Sequence, residues 1–224
     1  TEKASEMEGL SDLTALFNKA HEAKTQYDKL AGELSKERKK GALKMQKSIT
    51  DVMQTLAMAG GSFEVAVTPA DAPSSVGIDH CEFLVAGHAG VPRRSLSKVA
   101  SGGELARISL AIAVTDTMTA TVDTLIFDEV DSGIGGAVAE TVGRLLAQLG
   151  EHQQVLCVTH LPQVASCASH HFTIEKKAAA EGEAPVSNVY PLSEDQRVRE
   201  IARMLGGLTI TQKTLDHPRE MLRR

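Results

Sequence analysis

The sequence has no tryptophan, and aromatic residues make up only 3% of its 224 residues. Proteins that bind single-stranded nucleic acid stack the bases on aromatic side chains, so we do not expect a site of that kind. Hydrophobic residues nevertheless account for 42% of the chain, which is enough for a globular domain with an aliphatic core.

Cysteine is also scarce, and long apolar runs are missing. The cysteines Cys81, Cys157 and Cys167 are an odd number without CxxC spacing, so we expect buried, reduced thiols rather than disulfides or a zinc site. No apolar run approaches the roughly 20 residues that cross a bilayer, and no signal peptide opens the chain. These features predict a cytoplasmic protein without a membrane partner. The chain opens on Thr1 rather than Met, as in a fragment of a longer polypeptide.

The net charge of -5 is unevenly distributed. Residues 1–58 hold 10 basic and 9 acidic residues, and the remainder holds 14 and 20. Contact with DNA would therefore depend on local patches such as KERKK (Lys36 to Lys40) or RRSLSK (Arg93 to Lys98). For each patch, a solvated surface is the preferred interpretation.

Residues 1–58 contain no proline and have the pattern of one long helix. Apolar residues follow each other at steps of three and four, the spacing of a coiled-coil seam. The seam consists of Leu13, Leu16, Ala20, Ala23, Tyr27, Leu30 and Leu34, and a second stripe, offset by a stutter, consists of Met45, Ile49, Val52 and Leu56. An ordinary amphipathic helix packed on its own domain is the alternative. We prefer a coiled-coil arm that ends at Ala59-Gly60-Gly61.

Residues 59–224 alternate between the strand and the helix pattern. The predicted elements are strands at 63–69 and 81–87 around a turn-rich segment at 70–77, a helix from Glu104 to Met118, a strand at 124–128, a helix from Ala137 to Leu149 and a strand from Gln154 to His160. Strand, helix and strand within about forty residues predict a βαβ unit with parallel strands. A hairpin of 171–176 with 187–192 follows, and then a last helix from Ser193 to Leu205, with Ser193 and Gln196 as its capping box.

Carboxylates crowd the end of the apolar run Leu125 to Phe127. Asp128 and Glu129 end one strand of the βαβ unit and His160 ends the other, so all three should share the rim where parallel α/β sheets bind ligands. Because neighbouring strand residues point in opposite directions, Asp128 and Glu129 should do different jobs: one would hold Mg²⁺, and the other would orient or deprotonate a water. The alternative is that these residues only cap strands at the surface.

Glycines follow the acids in DSGIGG, and a strand, glycines and a helix also occur in dinucleotide-binding folds. Gly133 and Gly135 would match that fingerprint, but Val138 occupies its third position, and the carboxylates would repel a pyrophosphate. A tight turn or a close approach to a neighbouring subunit is the better explanation of these glycines.

A second group of residues begins the helix at KVASGGELAR. Ser101 and Glu104 form a predicted capping box, with Gly102 and Gly103 in the first turn. Glycine is a poor helix former, but its bare backbone lets an anion such as phosphate approach the positive end of the helix. A tight loop before a well-capped helix is the alternative.

The order and spacing of SGGE, LIFDE, VDSG and VTH resemble those of the ATP-binding-cassette ATPases. Within that superfamily, SGGELAR, FDEVDSGIGG, VTHLPQVA and EIARMLGG are similar to the RecN family of SMC-like bacterial DNA-repair ATPases. This resemblance implies an α/β fold: the C-terminal lobe of an ABC-type ATPase head, with a parallel βαβ core and flanking helices (59–224), carrying an N-terminal coiled-coil helix (1–58).

The resemblance also implies roles for the glycine-rich segment. Ser101, Gly102 and Gly103, followed by Glu104, correspond to the signature loop, which contacts the γ-phosphate of an ATP molecule held by the opposite protomer. In the segment Ala86 to Gly90, AGHAG stands where the family pattern would have an Asn-Pro-Gly-like turn.

For the acidic segment, the resemblance makes Asp128 the Walker B carboxylate that supports Mg²⁺ and Glu129 the catalytic base. It places Asp131 in the loop that crosses the dimer interface and makes His160 the switch histidine. The implied cofactors are ATP and Mg²⁺.

No GxxxxGK[ST] motif occurs, so the chain lacks a phosphate-binding Walker A loop. The resemblance assigns that loop to an N-terminal half of the same protein, which makes this chain inactive alone. It implies a homodimer with ATP sandwiched between heads, DNA as a partner in double-strand-break repair and recombination, and a place at the nucleoid. Two alternatives stay open: half of another ABC or SMC-type ATPase of chromosomes or transporters, or a non-catalytic coiled-coil scaffold.

Overall fold

One helix of 54 residues opens the chain, and seven strands, five shorter α-helices and one 3-10 helix (Leu96–Lys98) follow it in the described part. This computed structural model describes residues 2–99, 101–115, 122–177, 186–206 and 212–223, with backbone only at 2–12, 177 and 212–214. The helices are α1 (Glu2–Thr55), α2 (Gly102–Thr115), α3 (Gly136–Gly150), α4 (Pro162–Ala165), α5 (Glu194–Met204) and α6 (Gln212–Leu222). The strands are β1 (Ser62–Ser74), β2 (Gly77–Ala86), β3 (Arg94–Ser95), β4 (Thr124–Phe127), β5 (Gln154–Cys157), β6 (Phe172–Lys177) and β7 (Val186–Pro191).

The chain divides into two compact units, and the division into an arm (1–58) and a lobe (59–224) stays a prediction. The first unit joins Thr1–Lys47 with Phe63–Leu84, and the second joins Ser48–Ser62 with Val85–Arg224. Most of the β1–β2 hairpin therefore belongs with the arm helix. The reason is a set of long-range hydrogen bonds that the sequence pattern alone does not reveal.

Within the first unit, polar side chains of α1 hold the hairpin. The Asp79 carboxylate accepts hydrogen bonds from Ser35 Oγ (2.7 Å) and from Arg38 Nη1 (3.3 Å), and its side chain is only 5% exposed. Tyr27 donates its hydroxyl proton to the carbonyl of Ser74 at 2.9 Å. These contacts explain why β1 continues to Ser74.

The turn lies within the predicted segment 70–77 but is shorter than expected. Residues 70–74, expected in the turn, are strand, and the turn is confined to the two residues before Gly77, whose φ is +106°. Pairing with β2 and the bonds to α1 override the local turn propensity of Pro73 and Ser74.

The two apolar stripes of α1 have different surroundings. Leu16 and Leu30 of the first stripe are 62% and 56% exposed, whereas Ile49 and Leu56 of the second stripe are fully buried. The second stripe thus packs on its own domain, as the alternative interpretation expected. The helix ends at Thr55, four residues before the predicted glycine stop.

The predicted βαβ unit is confirmed. β4 and β5 pair in parallel from Thr124↔Gln154 to Phe127↔Cys157, and α3 connects them. β5 ends at Cys157, three residues earlier than expected, so that His160 lies in the loop beyond it.

Later elements also follow the predictions closely. β6 and β7 form the expected antiparallel hairpin, and residues 178–185 between them lie outside the described residues. The Ser193–Gln196 capping box is present, with the Ser193 N–H donating to Gln196 Oε1 at 2.8 Å. The predicted end of α2 at Met118 also falls outside the described residues, beyond Thr115.

Other expectations are wrong. Helices α4 and α6 were not predicted, because Pro162 and Pro218 are unfavourable signals for a helix interior, although Pro162 here begins its helix. The three thiols are free, but Cys81 is exposed and the other two are half-buried.

Among the described helices, none combines the length and the apolar character needed to cross a membrane.

Candidate nucleotide site

The carboxyl ends of β4 and β5 bring the predicted acids and histidine to one edge. Beyond the last paired residues, Phe127 and Cys157, the N–H of Val158 still donates to the carbonyl of Phe127 at 2.9 Å. The two loops that start with Asp128 and Val158 therefore leave the sheet side by side, as expected for parallel strands.

Asp131 ties these two loops together. Its side chain is 2% exposed, and Oδ2 accepts hydrogen bonds from the His160 N–H (3.0 Å) and from the Thr159 hydroxyl. Nδ1 of His160 lies 3.2 Å from the same oxygen. A buried carboxylate needs such partners to offset its lost hydration. Asp131 therefore faces its own chain.

This contact sets the direction of the His160 ring. With Nδ1 against Asp131 and the side chain 71% exposed, Nε2 faces away from the carboxylate, towards solvent. Because one ring nitrogen lies against the carboxylate, the other is the nitrogen that can contact a ligand. The sequence pattern predicted both residues at the site but not their interaction.

Asp128 and Glu129 occupy the exposed side of the same edge. Both lie beyond β4, so strand alternation does not determine the directions of their side chains. Asp128 Oδ1 accepts the Glu129 N–H at 2.9 Å, which closes a local turn. Glu129 has φ +57°, a left-handed backbone that costs a non-glycine residue about 1–2 kcal/mol.

Gly102 and Gly103 allow the acidic loop to approach the start of α2. A Cβ on Gly102 would lie 2.6 Å from Glu129 Oε2, and a Cβ on Gly103 would lie 3.0 Å from the Cβ of Ser132. The Glu129 carboxylate thus lies over the positive end of α2, where the dipole favours an anion. The two predicted groups of site residues meet in one chain.

Half of the predicted capping box of α2 is present. Ser101 Oγ accepts the Glu104 N–H at 3.4 Å. The Glu104 carboxylate lies instead 3.5 Å from His88 Nε2, beside Gly87. The segment AGHAG therefore forms the turn next to the glycine-rich helix start.

Arg107 is a residue beside the site that was not predicted from the sequence. Its side chain is buried within α2, and Nη1 donates to the carbonyl of Ser132 at 2.8 Å. Burial lowers the pKa of the guanidinium, although nearby Glu104 raises it. The signal available in the sequence was an arginine one turn after Gly103, among the apolar residues Ile108 and Leu110. The structure shows that both of these residues are buried. Arg107 holds the acidic loop against the helix start.

The carboxylate of Asp128 suits Mg²⁺ in one respect. It is exposed, and Mg²⁺ in proteins commonly keeps several waters and takes one or two carboxylates together with substrate phosphates. Among the described residues, no group of three or more His, Cys, Asp or Glu side chains converges as a metal site.

No family model matches the sequence, but curated relatives do. The chain is 45% identical over 193 residues to the DNA repair protein RecN of Vibrio cholerae, which covers 86% of this chain and 34% of that protein. It is 40% identical over 223 residues to RecN of Haemophilus influenzae, covering 95% and 40%. It is 39% identical over 202 residues to RecN of Bacillus subtilis, which covers 89% of this chain and 34% of that protein. The chain spans little more than a third of the length of these relatives.

Solved structures show the same fold. The Smc head domain with a coiled coil and joint from Pyrococcus yayanosii matches with a TM-score of 0.55 at 20% identity, covering 86% of this chain and 36% of that chain. The Smc head domain from Pyrococcus furiosus that was solved with the C-terminal domain of ScpA matches with a TM-score of 0.50 at 20% identity, covering 75% and 39%. By fold the chain is related to SMC head domains, and by sequence it belongs to the RecN family.

Proposed function

We propose that this chain is the C-terminal half of an SMC-like ATPase, which binds and hydrolyses ATP between two heads and acts on DNA in double-strand-break repair and recombination. One observation carries the proposal: the exposed residues Ser101 and Gly102 at the start of α2 lie beside the sheet edge that carries the exposed Asp128 and His160. The name of the relatives, DNA repair protein, supports the process. A place in the cytoplasm at the nucleoid follows from DNA as the partner.

The chemistry is assigned to four side chains. Asp128 holds Mg²⁺, which when bound neutralises charge on the phosphates. Glu129 accepts a proton from the attacking water, and His160 Nε2 contacts the transferring phosphoryl group. Asp131 holds the His160 ring in the orientation that this contact requires.

In the proposed dimer, the helix start serves the opposite active site. Ser101, Gly102 and Gly103 offer backbone N–H groups to the γ-phosphate of the ATP held by the other protomer, with Glu104 in the same turn. Glu129 covers Gly102 in the isolated chain, so its carboxylate has to move away when the phosphate arrives. Repulsion between the two anions drives that movement.

Exposed apolar residues on the β4–β5 sheet support a further layer of protein on that face. Ile126 and Leu156 are paired neighbours on β4 and β5, and they are 70% and 44% exposed; Val158 beyond them is 56% exposed. Parallel sheets are normally covered on both faces, so this face requires another layer. We assign it to the N-terminal half of the protein, which also supplies the Walker A loop.

The test compares ATP hydrolysis by the full-length protein, by this chain alone and by this chain mixed with the N-terminal half. We expect negligible hydrolysis by the chain alone, and hydrolysis restored by the mixture. Robust hydrolysis by the isolated chain would contradict the split site. A full-length protein that neither hydrolyses ATP nor dimerises with it would support a scaffold instead.

A further inference from the structure

One face of α1 carries a line of lysines. At 3.6 residues per turn, their side chains fall within an arc of about 80° and extend over about 27 Å of helix. All five are exposed. They are Lys29, Lys36, Lys40, Lys44 and Lys47, and we call them the lysine stripe.

The segment around the stripe is strongly basic in an acidic protein. Residues 29–47 hold seven basic and two acidic residues, a net charge of +5, whereas the whole chain has a net charge of -5. Lys40 pairs with Glu37 at 2.6 Å, but both side chains are exposed, and such a pair is easily exchanged for another partner. Arg38, by contrast, is committed to Asp79.

The stripe faces away from the other partners of the helix. Tyr27 and Arg38, which hold the hairpin, lie on the opposite side of α1, as does Leu34 of the predicted coiled-coil seam. A second helix packed along that seam would leave the lysines in solvent. Covering them with protein would mean removing five charges from water, which is costly without matching carboxylates.

We propose that the lysine stripe binds the phosphate backbone of double-stranded DNA, an inference that rests on the proposed function for its DNA partner. Each DNA strand carries a phosphate per 3.4 Å of axis, so about 27 Å of helix spans roughly eight base pairs. A protein interface needs an apolar centre, but this face has one large apolar side chain, Leu43. A row of point charges suits a polyanion, and the binding is independent of base sequence.

The salt dependence of binding tests the proposal. We expect the full-length protein with Lys36, Lys44 and Lys47 replaced by Gln to bind a short random-sequence duplex less tightly. The slope of log K against log salt falls by about 0.9 for each phosphate that is no longer neutralised, or about 2.7 for three. Between about 50 and 200 mM salt, the wild type should therefore lose roughly 40-fold more affinity than the variant. Lys44→Gln alone should change the slope by about 0.9.

The matched control removes three exposed cations elsewhere, with Gln at Lys176, Arg199 and Arg223. The control should keep the wild-type slope. Equal slopes for both triple variants would overturn the proposal. It would also be overturned if the stripe variant kept the wild-type slope and instead lost binding to an acidic protein. ATP hydrolysis without DNA should be the same in the stripe variant and the wild type. If the wild type did not hydrolyse ATP, the proposed ATPase function would be contradicted, but the measurement of DNA binding would still test the lysine stripe.

Discussion

The carboxylate of Asp131 lies 3.2 Å from Nδ1 of His160 and also accepts the backbone N–H of that residue. Two loops that are separated by α3 in the chain are thereby fixed at one buried oxygen. The predicted interface residue and the predicted switch residue are therefore one unit.

Replacing Asp131 by Asn should slow ATP hydrolysis of the full-length protein with little change in KM. The amide can hold the imidazole in the wrong tautomer, and a positioned acid or base contributes about 10²–10⁴-fold to a rate. We expect Asp131→Asn and His160→Ala each to lower kcat, and the double variant to be no worse than His160→Ala. Additive losses in kcat would show that Asp131 acts independently of His160.

Glu129→Gln should keep ATP binding but lower turnover by roughly 10²-fold or more, because the amide cannot accept the proton of water. The change also removes the negative charge that covers Gly102, so ATP-dependent dimerisation should become easier. Dimerisation is read by size-exclusion chromatography with light scattering. Turnover equal to that of the wild type would exclude Glu129 as the base.

The two glycines of α2 should respond differently to alanine. A Cβ at Gly102 meets only the flexible end of the Glu129 side chain, so Gly102→Ala should leave the melting temperature unchanged while it obstructs the phosphate. A Cβ at Gly103 would lie 3.1 Å from the Ser132 carbonyl oxygen, which belongs to the backbone. Gly103→Ala should therefore destabilise the fold by about 1–3 kcal/mol. Similar melting temperatures for both variants would contradict this contrast.

Burial should make the Cys157 thiol unreactive near neutral pH. Burial, followed by the charges of Asp131 and Asp128, raises the pKa of the Cys157 thiol to about 12. At pH 8 only about 1 in 10⁴ of these thiols would be ionised, so alkylation should reach exposed Cys81 first. Because the folded state favours the neutral thiol, the contribution of Cys157 to stability is fully present below the ordinary thiol pKa. This contribution is lost as the pH rises towards about 12. Rapid labelling of Cys157 at pH 8, measured by mass spectrometry, would disprove this burial.

The sequence pattern predicted those parts of the fold that depend on local periodicity. The apolar run before Asp128 and the helical spacing from Ala137 to Leu149 predicted parallel strands and a common edge, and the structure confirms both. Three features depend on contacts between distant residues and were missed: the left-handed backbone of Glu129, the burial of Arg107 and the interaction of Asp131 with His160.

The length of the two hairpin strands was underestimated for the same reason. Pro73 and Ser74 have strong turn propensity, but their conformation is decided by bonds from a helix more than forty residues earlier in the chain. Local propensity carries no information about such partners. The roles of the site residues in catalysis remain predictions.

The bonds from Tyr27, Ser35 and Arg38 connect the hairpin to residues that span about three turns of α1. Bending the helix between these residues would stretch at least one of the bonds. The hairpin therefore stiffens about 16 Å of α1. Any bend in the arm should lie outside this segment.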